Sequence, residues 1–160
     1  MLRLYGHEGK FKLIFDDFSP QWFIKCHTEL INIFSQNSQR LAYLSLPIQS
    51  GSNKILKLMR RGYTAEEANE AILDLQKACP DLNLLTHVLI GFPGETEEDF
   101  LDTLNFVKAI KFHEVFIYKY SDRPNIEALE LPGKVSEKTK LKRVWKLIYT
   151  LGPGTAKFSN

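Results

Sequence analysis

Two thiols, four histidines and a few Gly- and Pro-containing strings hold most of the residues in this 160-residue chain that could do chemistry. The thiols are Cys26 and Cys79; the histidines are His7, His27, His87 and His113. None lies at metal-ligand spacing from another. Cys26 directly precedes His27, and adjacent residues on a helix do not face a common ion. No H-E-x-x-H or comparable cluster occurs. Lone thiols of this kind pack as small buried hydrophobes, and neither a zinc site nor an iron–sulfur cluster can be assembled from these residues alone.

The strings are more informative. Gly91-Phe-Pro-Gly-Glu-Thr96 has the look of a glycine turn before a helix, a place that often cradles phosphate because free N–H groups and the helix dipole favour anions. Here Glu95, Glu97, Glu98 and Asp99 occupy that position, satisfy the dipole and would repel a phosphate. A neutral or cationic ligand suits the loop better. Gln49, in Gln49-Ser-Gly-Ser52, offers a carbonyl acceptor and an amide donor suited to ribose hydroxyls or an amino acid group. Arg60-Arg61 could hold a carboxylate as a fork, or simply complete a helix C-terminus. Tyr118 and Tyr120 fall two apart on one strand face, where an aromatic stacks on a purine or joins a core.

Those strings need elements to position them. Apolar runs at Phe11–Phe15, Leu41–Leu46, Leu84–Ile90 and Val115–Tyr120 read as strands, the third apolar enough to be covered on both faces. Amphipathic stretches alternate with them. One begins at Ser19-Pro20 and runs to Ser35; a short one carries Ile55, Leu56 and Met59; one opens on the capping box Thr64/Glu67; one is capped by Thr96. A last helix runs from Ser136 to about Leu151. Four β-α units in succession imply a parallel sheet with right-handed crossovers, either open or part of a barrel. Ligands of such folds lie at the C-terminal ends of the strands, where all the strings above fall.

Composition sets the outer bounds. With 44% hydrophobic and 25% charged residues, the chain reads as one ordinary globular domain over 1–160, with a core large enough to need no disulfide. A net charge of +2 neither demands nor excludes a nucleic-acid partner. The one concentrated basic run, Lys134 to Lys146, is expected to be the wet face of the last helix. No apolar run is long enough to span a membrane and the first residues lack a signal pattern, so a cytoplasmic location and no membrane partner are expected.

Taken in order, Leu46-Pro-Ile-Gln-Ser-Gly-Ser-Asn53, Ile55 to Thr64, Val88-Leu-Ile-Gly-Phe-Pro-Gly-Glu-Thr-Glu-Glu-Asp-Phe100 and Tyr120-Ser-Asp-Arg-Pro124 resemble the motifs of radical S-adenosylmethionine (SAM) methylthiotransferases. The stretch Phe15 to Trp22 resembles the strand end before them, and the similarity covers residues 11–134. The resemblance implies strands three to six of an incomplete (β/α)6 barrel, with 135–160 as a helix and tail. It implies SAM as cofactor beside a 4Fe–4S cluster held by Cys-x-x-x-Cys-x-x-Cys, and a tRNA adenosine or a ribosomal-protein aspartate as substrate. Carried over by position, Gln49 and Ser50 face the ribose and methionyl part of SAM, and Arg61 meets its carboxylate. Leu89 and Gly91, inward with His87, pack beside the adenine, with Tyr118 or Tyr120 near its rim.

The chain departs from that pattern in having no cysteine triad, His87 in place of the usual Asp, and Asn125-Ile126 in place of Gly-Thr. The expectation is therefore a C-terminal, SAM-facing part of such a barrel, inactive by itself without the N-terminal barrel half. The alternative is a non-catalytic β/α module binding a nucleotide or a protein partner. Inward side chains, expected to include Leu13, Phe15, Leu44, Leu46 and Leu89, together with the unpaired edge of the first strand, imply self-association.

Overall fold

The computed structural model describes residues 11–124 and 127–159; Asn125, Ile126, Asn160, His7 and the rest of residues 1–10 lie outside them. Five parallel strands form one sheet in the order β1 (Leu13–Phe15), β2 (Leu41–Ser45), β3 (Asn83–Ile90), β4 (Glu114–Lys119) and β5 (Ala156–Ser159). The helices are α1 (Pro20–Lys25), α2 (His27–Gln36), α3 (Asn53–Leu58), α4 (Ala65–Ala78), α5 (Glu97–Ile110) and α6 (Glu137–Leu151). Sequential order with every neighbour parallel means that every crossover has the same hand, which puts all the helices on one face of the sheet.

Alternation along the strands decides what each face carries. On β3, Val88 and Ile90 point to the helices; on β4, Val115 and Ile117 do the same. They meet Ile72 and Leu75 of α4, Phe100 and Val107 of α5, and Val144 and Leu147 of α6 in one buried core. Each such side chain contributes about 1.5–3 kcal/mol when fully buried. Leu44 and Leu46 belong to this core as well, and Leu13 and Phe15 pack against it, so the expected inward placement of these four is corrected. The pleat gives the other face to Ser45 beside Leu85, His87 beside Phe116, and Leu89 beside Tyr118. No helix covers that face among the described residues.

Local signals account for most helix boundaries. Thr64 and Glu67 form the capping box of α4, Thr96 and Asp99 that of α5, and Ser136 caps α6. Two segments differ from the expectation. The helix after Ser19 breaks at Cys26 into α1 and α2, and Ser19 makes no side-chain cap bond. The expected C-terminal tail contains β5, which extends the sheet by pairing Val115–Tyr118 with Ala156–Ser159. Phe158 packs on the core and supplies the apolar contact that seats this strand.

Candidate functional site

The loops at the C-terminal ends of β2 and β3 are held by dense polar contacts. Gln49 sits in the left-handed region at φ 74°, which a residue with a Cβ adopts at a cost of about 1 kcal/mol. Two backbone bonds hold it there: its N–H donates to the His87 carbonyl at 2.8 Å, and its carbonyl accepts from the Leu89 N–H at 2.9 Å. The Thr86 hydroxyl donates to the Leu46 carbonyl at 2.7 Å from inside the sheet, and the Tyr63 hydroxyl donates to the Ile48 carbonyl at 2.8 Å. Burial pushes the Tyr63 phenol up to about 12, so it stays a donor throughout the ordinary pH range.

Beyond Gln49 the loop is fastened to α5. The Ser50 hydroxyl lies 3.0 Å from the Thr103 hydroxyl, which also accepts the Gly51 N–H at 2.9 Å. Ser50 is therefore turned to α5 and not to the open strand ends, contrary to the ribose-facing expectation. A Cβ at Gly51 would come within 2.7 Å of the Asp102 carbonyl oxygen, so only glycine allows this approach. Asp99 accepts from the Ser52 hydroxyl at 2.7 Å, from the Thr96 N–H at 2.8 Å, and from the Lys54 ammonium. Burial alone would raise the Asp99 carboxyl; the bonds from Lys54, Thr96 and Ser52 outweigh it and hold the group far below its ordinary range.

The Gly91 loop is locked differently. Gly91 has φ +81°, and the space where its Cβ would point is filled by the Lys140 stem. The backbone of Gly91, and no open space beside it, is what this position offers. Its N–H donates to Glu95 Oε2 at 2.9 Å, and Arg143 donates to the same oxygen at 2.6 Å. Burial pushes the Glu95 carboxyl up against the pull of the Gly91 amide and Arg143; its Oε1 has no partner among the described residues. Lys140 donates to the Tyr120 carbonyl at 2.8 Å. The Glu95 carboxylate is thus part of the loop's own scaffold and not a repellent aimed at a ligand.

Lys140 and Arg143 are buried, which corrects the expectation that the whole basic run is solvated. A signal was present: Lys140, Arg143, Val144 and Leu147 fall at i, i+3, i+4 and i+7, the core stripe of α6.

Between these loops lies a cleft. One cavity of about 610 Å³ runs along α3, lined by Lys54, Lys57, Met59, Arg60, Arg61, Leu89, Phe92 and Leu131 among others. A neighbour of about 780 Å³ is lined by Leu89, Phe92, Tyr118, Lys119, Tyr120, Arg123 and Ser159 among others. Leu89, Phe92 and Ala128 belong to both, so the two share a wall, and each has the size of a small-ligand site. Its apolar wall is backed by a small second core of Ile55, Phe92, Tyr120 and Ala128, against which Met59, Leu89 and Leu131 pack. Of the expected site residues, the fold brings Arg61, Leu89, Tyr118 and Tyr120 to this cleft. Gln49, Ser50 and Gly91 do not line it.

The aromatics differ in role. Tyr118 is half-buried, edge-on to His87 at 5.5 Å between centroids. Tyr120 is buried edge-on to Phe92 at 5.3 Å, and its hydroxyl has no partner among the described residues. Burial, then the nearby Asp122, pushes that phenol up. His87 itself lies 3.4 Å from Asp17 Oδ1 through Nδ1 and 3.4 Å from the Ser45 hydroxyl through Nε2. Ser45 is fully buried, so this trio presents no hydroxyl to a substrate. Arg60, at φ 55°, pairs with Glu127 across the outer end of the cleft.

The Radical SAM superfamily profile matches residues 18–107, more than half of the chain. The chain belongs to the radical SAM superfamily. It is 44% identical over 119 residues to a tRNA-2-methylthio-N(6)-dimethylallyladenosine synthase of Syntrophobacter fumaroxidans, covering 74% of this chain and 26% of that protein. It is 42% identical over 120 residues to the threonylcarbamoyladenosine tRNA methylthiotransferase MtaB of Bacillus subtilis, covering 75% of this chain and 27% of that protein. The chain thus spans about a quarter of the length of these curated relatives.

Among solved structures, the radical SAM enzyme coproporphyrinogen III oxidase (HemN) from Escherichia coli superposes with a TM-score of 0.69 at 17% identity, over 88% of this chain and 32% of that one. An archaeal Elp3 from Methanocaldococcus infernus gives 0.66 at 21%, over 93% and 35%. These likenesses bear on the fold, a partial (β/α) barrel. In that fold the uncovered sheet face is the barrel interior, and the cleft opens at its C-terminal mouth. No helix of the described residues is long and apolar enough to cross a membrane.

Two cofactors follow from the family, and the residues treat them differently. A 4Fe–4S cluster needs three thiolates where this family supplies three; the chain has only Cys26 and Cys79, and burial pushes the Cys79 thiol up, away from the thiolate form. These residues do not fit a cluster. SAM is a different case, because the cleft combines apolar Leu89, Phe92 and Ala128 with the Arg61 guanidinium, a set that fits an adenosyl group with a carboxylate.

Proposed function

We propose that this chain is the SAM-facing C-terminal part of a radical SAM methylthiotransferase barrel, acting on a tRNA adenosine or on a ribosomal-protein aspartate in the cytoplasm. The observation that carries the SAM assignment is the pair of cavities sharing Leu89 and Phe92, with Arg61 lining one and Tyr118 the other. SAM, when bound, would supply the reactive carbon–sulfur bond. Leu89 and Phe92 would exclude water from the adenine, and Tyr118 would meet its edge. Arg61 would fix the carboxylate. Gln49 (held at positive φ by β3), Ser50 and Gly91 do not line the cleft and would act through the loops they build.

Cluster ligands, in this reading, come from a polypeptide segment other than these 160 residues, and the chain alone is inactive. Binding of SAM to the isolated chain tests the proposal. With part of the pocket present, a Kd in the high-micromolar to millimolar range is expected, on the order of 4–6 kcal/mol. Leu89→Asp should abolish it and Arg61→Ala should weaken it about tenfold. Calorimetry showing no heat with the wild-type chain, or equal binding by Leu89→Asp, would remove SAM from the cleft.

The uncovered sheet face and the β1 edge, unpaired among the described residues, support a further part of the reading: two copies associate there in the absence of the rest of a barrel. Light scattering over a dilution series is the check. A monomer at every concentration rejects it.

A further inference from the structure

The outward side of α6 carries a feature that the cleft does not use. Lys138, Leu141, Lys142, Trp145, Lys146 and Tyr149 fall at i, i+3, i+4, i+7, i+8 and i+11, opposite the buried stripe of Lys140, Arg143, Val144 and Leu147. On this crest Trp145 is 64% exposed, Tyr149 91% and Leu141 40%. A crest that served only to be wet would carry charged residues, since exposed aromatic surface favours association. It also lacks any carboxylate. The one acid of the helix, Glu137, is taken by Lys140 and Lys119. Lys146 reaches Glu97 only at 3.5 Å, and Lys138 and Lys142 enter no ion pair among the described residues.

We propose that this crest docks single-stranded RNA, with bases stacked on Trp145 and Tyr149 and phosphates met by Lys138, Lys142 and Lys146. Exposed rings between cations, on a crest that carries no carboxylate of its own, are the chemistry that single strands select: every base has a flat face and every phosphate a charge. Spacing sets the strand state. Trp145 and Tyr149 stand about 6 Å apart along the helix axis, nearly twice the 3.4 Å rise of stacked bases. They suit bases splayed from a single strand or a loop and not those inside a duplex.

Other occupants fit less well. A second copy would set three lysines against three lysines. A bilayer would need an apolar face that α6 has spent on Val144 and Leu147. RNA docking on α6 shares with the methylthiotransferase reading only its class of partner. It needs no SAM in the cleft, and it is measured without SAM, so either reading can fail alone.

The experiment is fluorescence anisotropy of a labelled unstructured oligoribonucleotide of about 15 nucleotides, with the whole chain and variants whose fold is checked by circular dichroism. Trp145→Ala/Tyr149→Ala should bind at least about tenfold more weakly than wild type. Lys138→Ala/Lys142→Ala should also weaken binding and flatten its salt dependence by about 0.7 in logarithmic slope per lost phosphate contact. Trp22→Ala, which removes the other exposed tryptophan, should bind as wild type does. Undiminished binding by the aromatic double variant would overturn the proposal. Competition by a poly-glutamate peptide or a paired RNA duplex as effective as that of the single strand would do so too.

Discussion

The two faces of one sheet have opposite fates in this protein. On β3 and β4, Val88, Ile90, Val115 and Ile117 are sealed under α4, α5 and α6, whereas their neighbours His87, Leu89, Phe116 and Tyr118, offset by a single residue, are left half-buried. Backbone and hydrogen bonding are shared, so the difference comes from what lies above each face. The helix side is closed by short right-handed crossovers within the chain. The other side would be closed only by further strands or a ligand, and it leads into the cleft at Leu89. Residues whose neighbours are all supplied locally carry stability; those whose neighbours are incomplete are available for binding.

That contrast can be broken by mutation. The largest effect is expected at Phe100, fully buried under the helix side: Phe100→Ala should cost about 3–5 kcal/mol in a denaturant titration. An intermediate effect belongs to the fastening of the loops. Asp99→Asn removes a carboxylate that Ser52, Thr96 and Lys54 all donate to, and should cost about 2 kcal/mol near neutral pH. Because the folded Asp99 titrates far below its unfolded value, its contribution is complete above about pH 4 and fades as the pH falls below that. Wild type should therefore lose stability faster than Asp99→Asn on acidification, and parallel curves would dismiss the network. The smallest effect is expected at Tyr118 on the open face, where Tyr118→Ala should cost less than about 1 kcal/mol. A cost comparable to that of Phe100→Ala would mean that the open face is packed after all.

Local patterns are legible in the order of the residues alone. Thr64 with Glu67 and Thr96 with Asp99 form their boxes within one helical turn, and Ser136 caps α6 in the same way, so nearby residues suffice to specify them. The alternation of strands and helices likewise leads to a parallel β/α sheet, because few topologies accommodate it. At the candidate site, the sequence brings Arg61, Leu89, Tyr118 and Tyr120 forward through their strings, and the fold gathers these four at one cleft.

What tertiary structure alone decided involves partners distant in sequence. Ser50 meets Thr103 across 53 positions, and Glu95 meets Arg143 across 48; neither approach leaves a mark near either residue. β5 is a short apolar alternation that becomes a strand only because β4 offers it an edge and the core takes Phe158. The burial of Lys140 and Arg143 follows the same logic: their charge argues for solvent, and only the Gly91 loop, with Glu95 and the Tyr120 carbonyl, supplies the contacts that let them go inside.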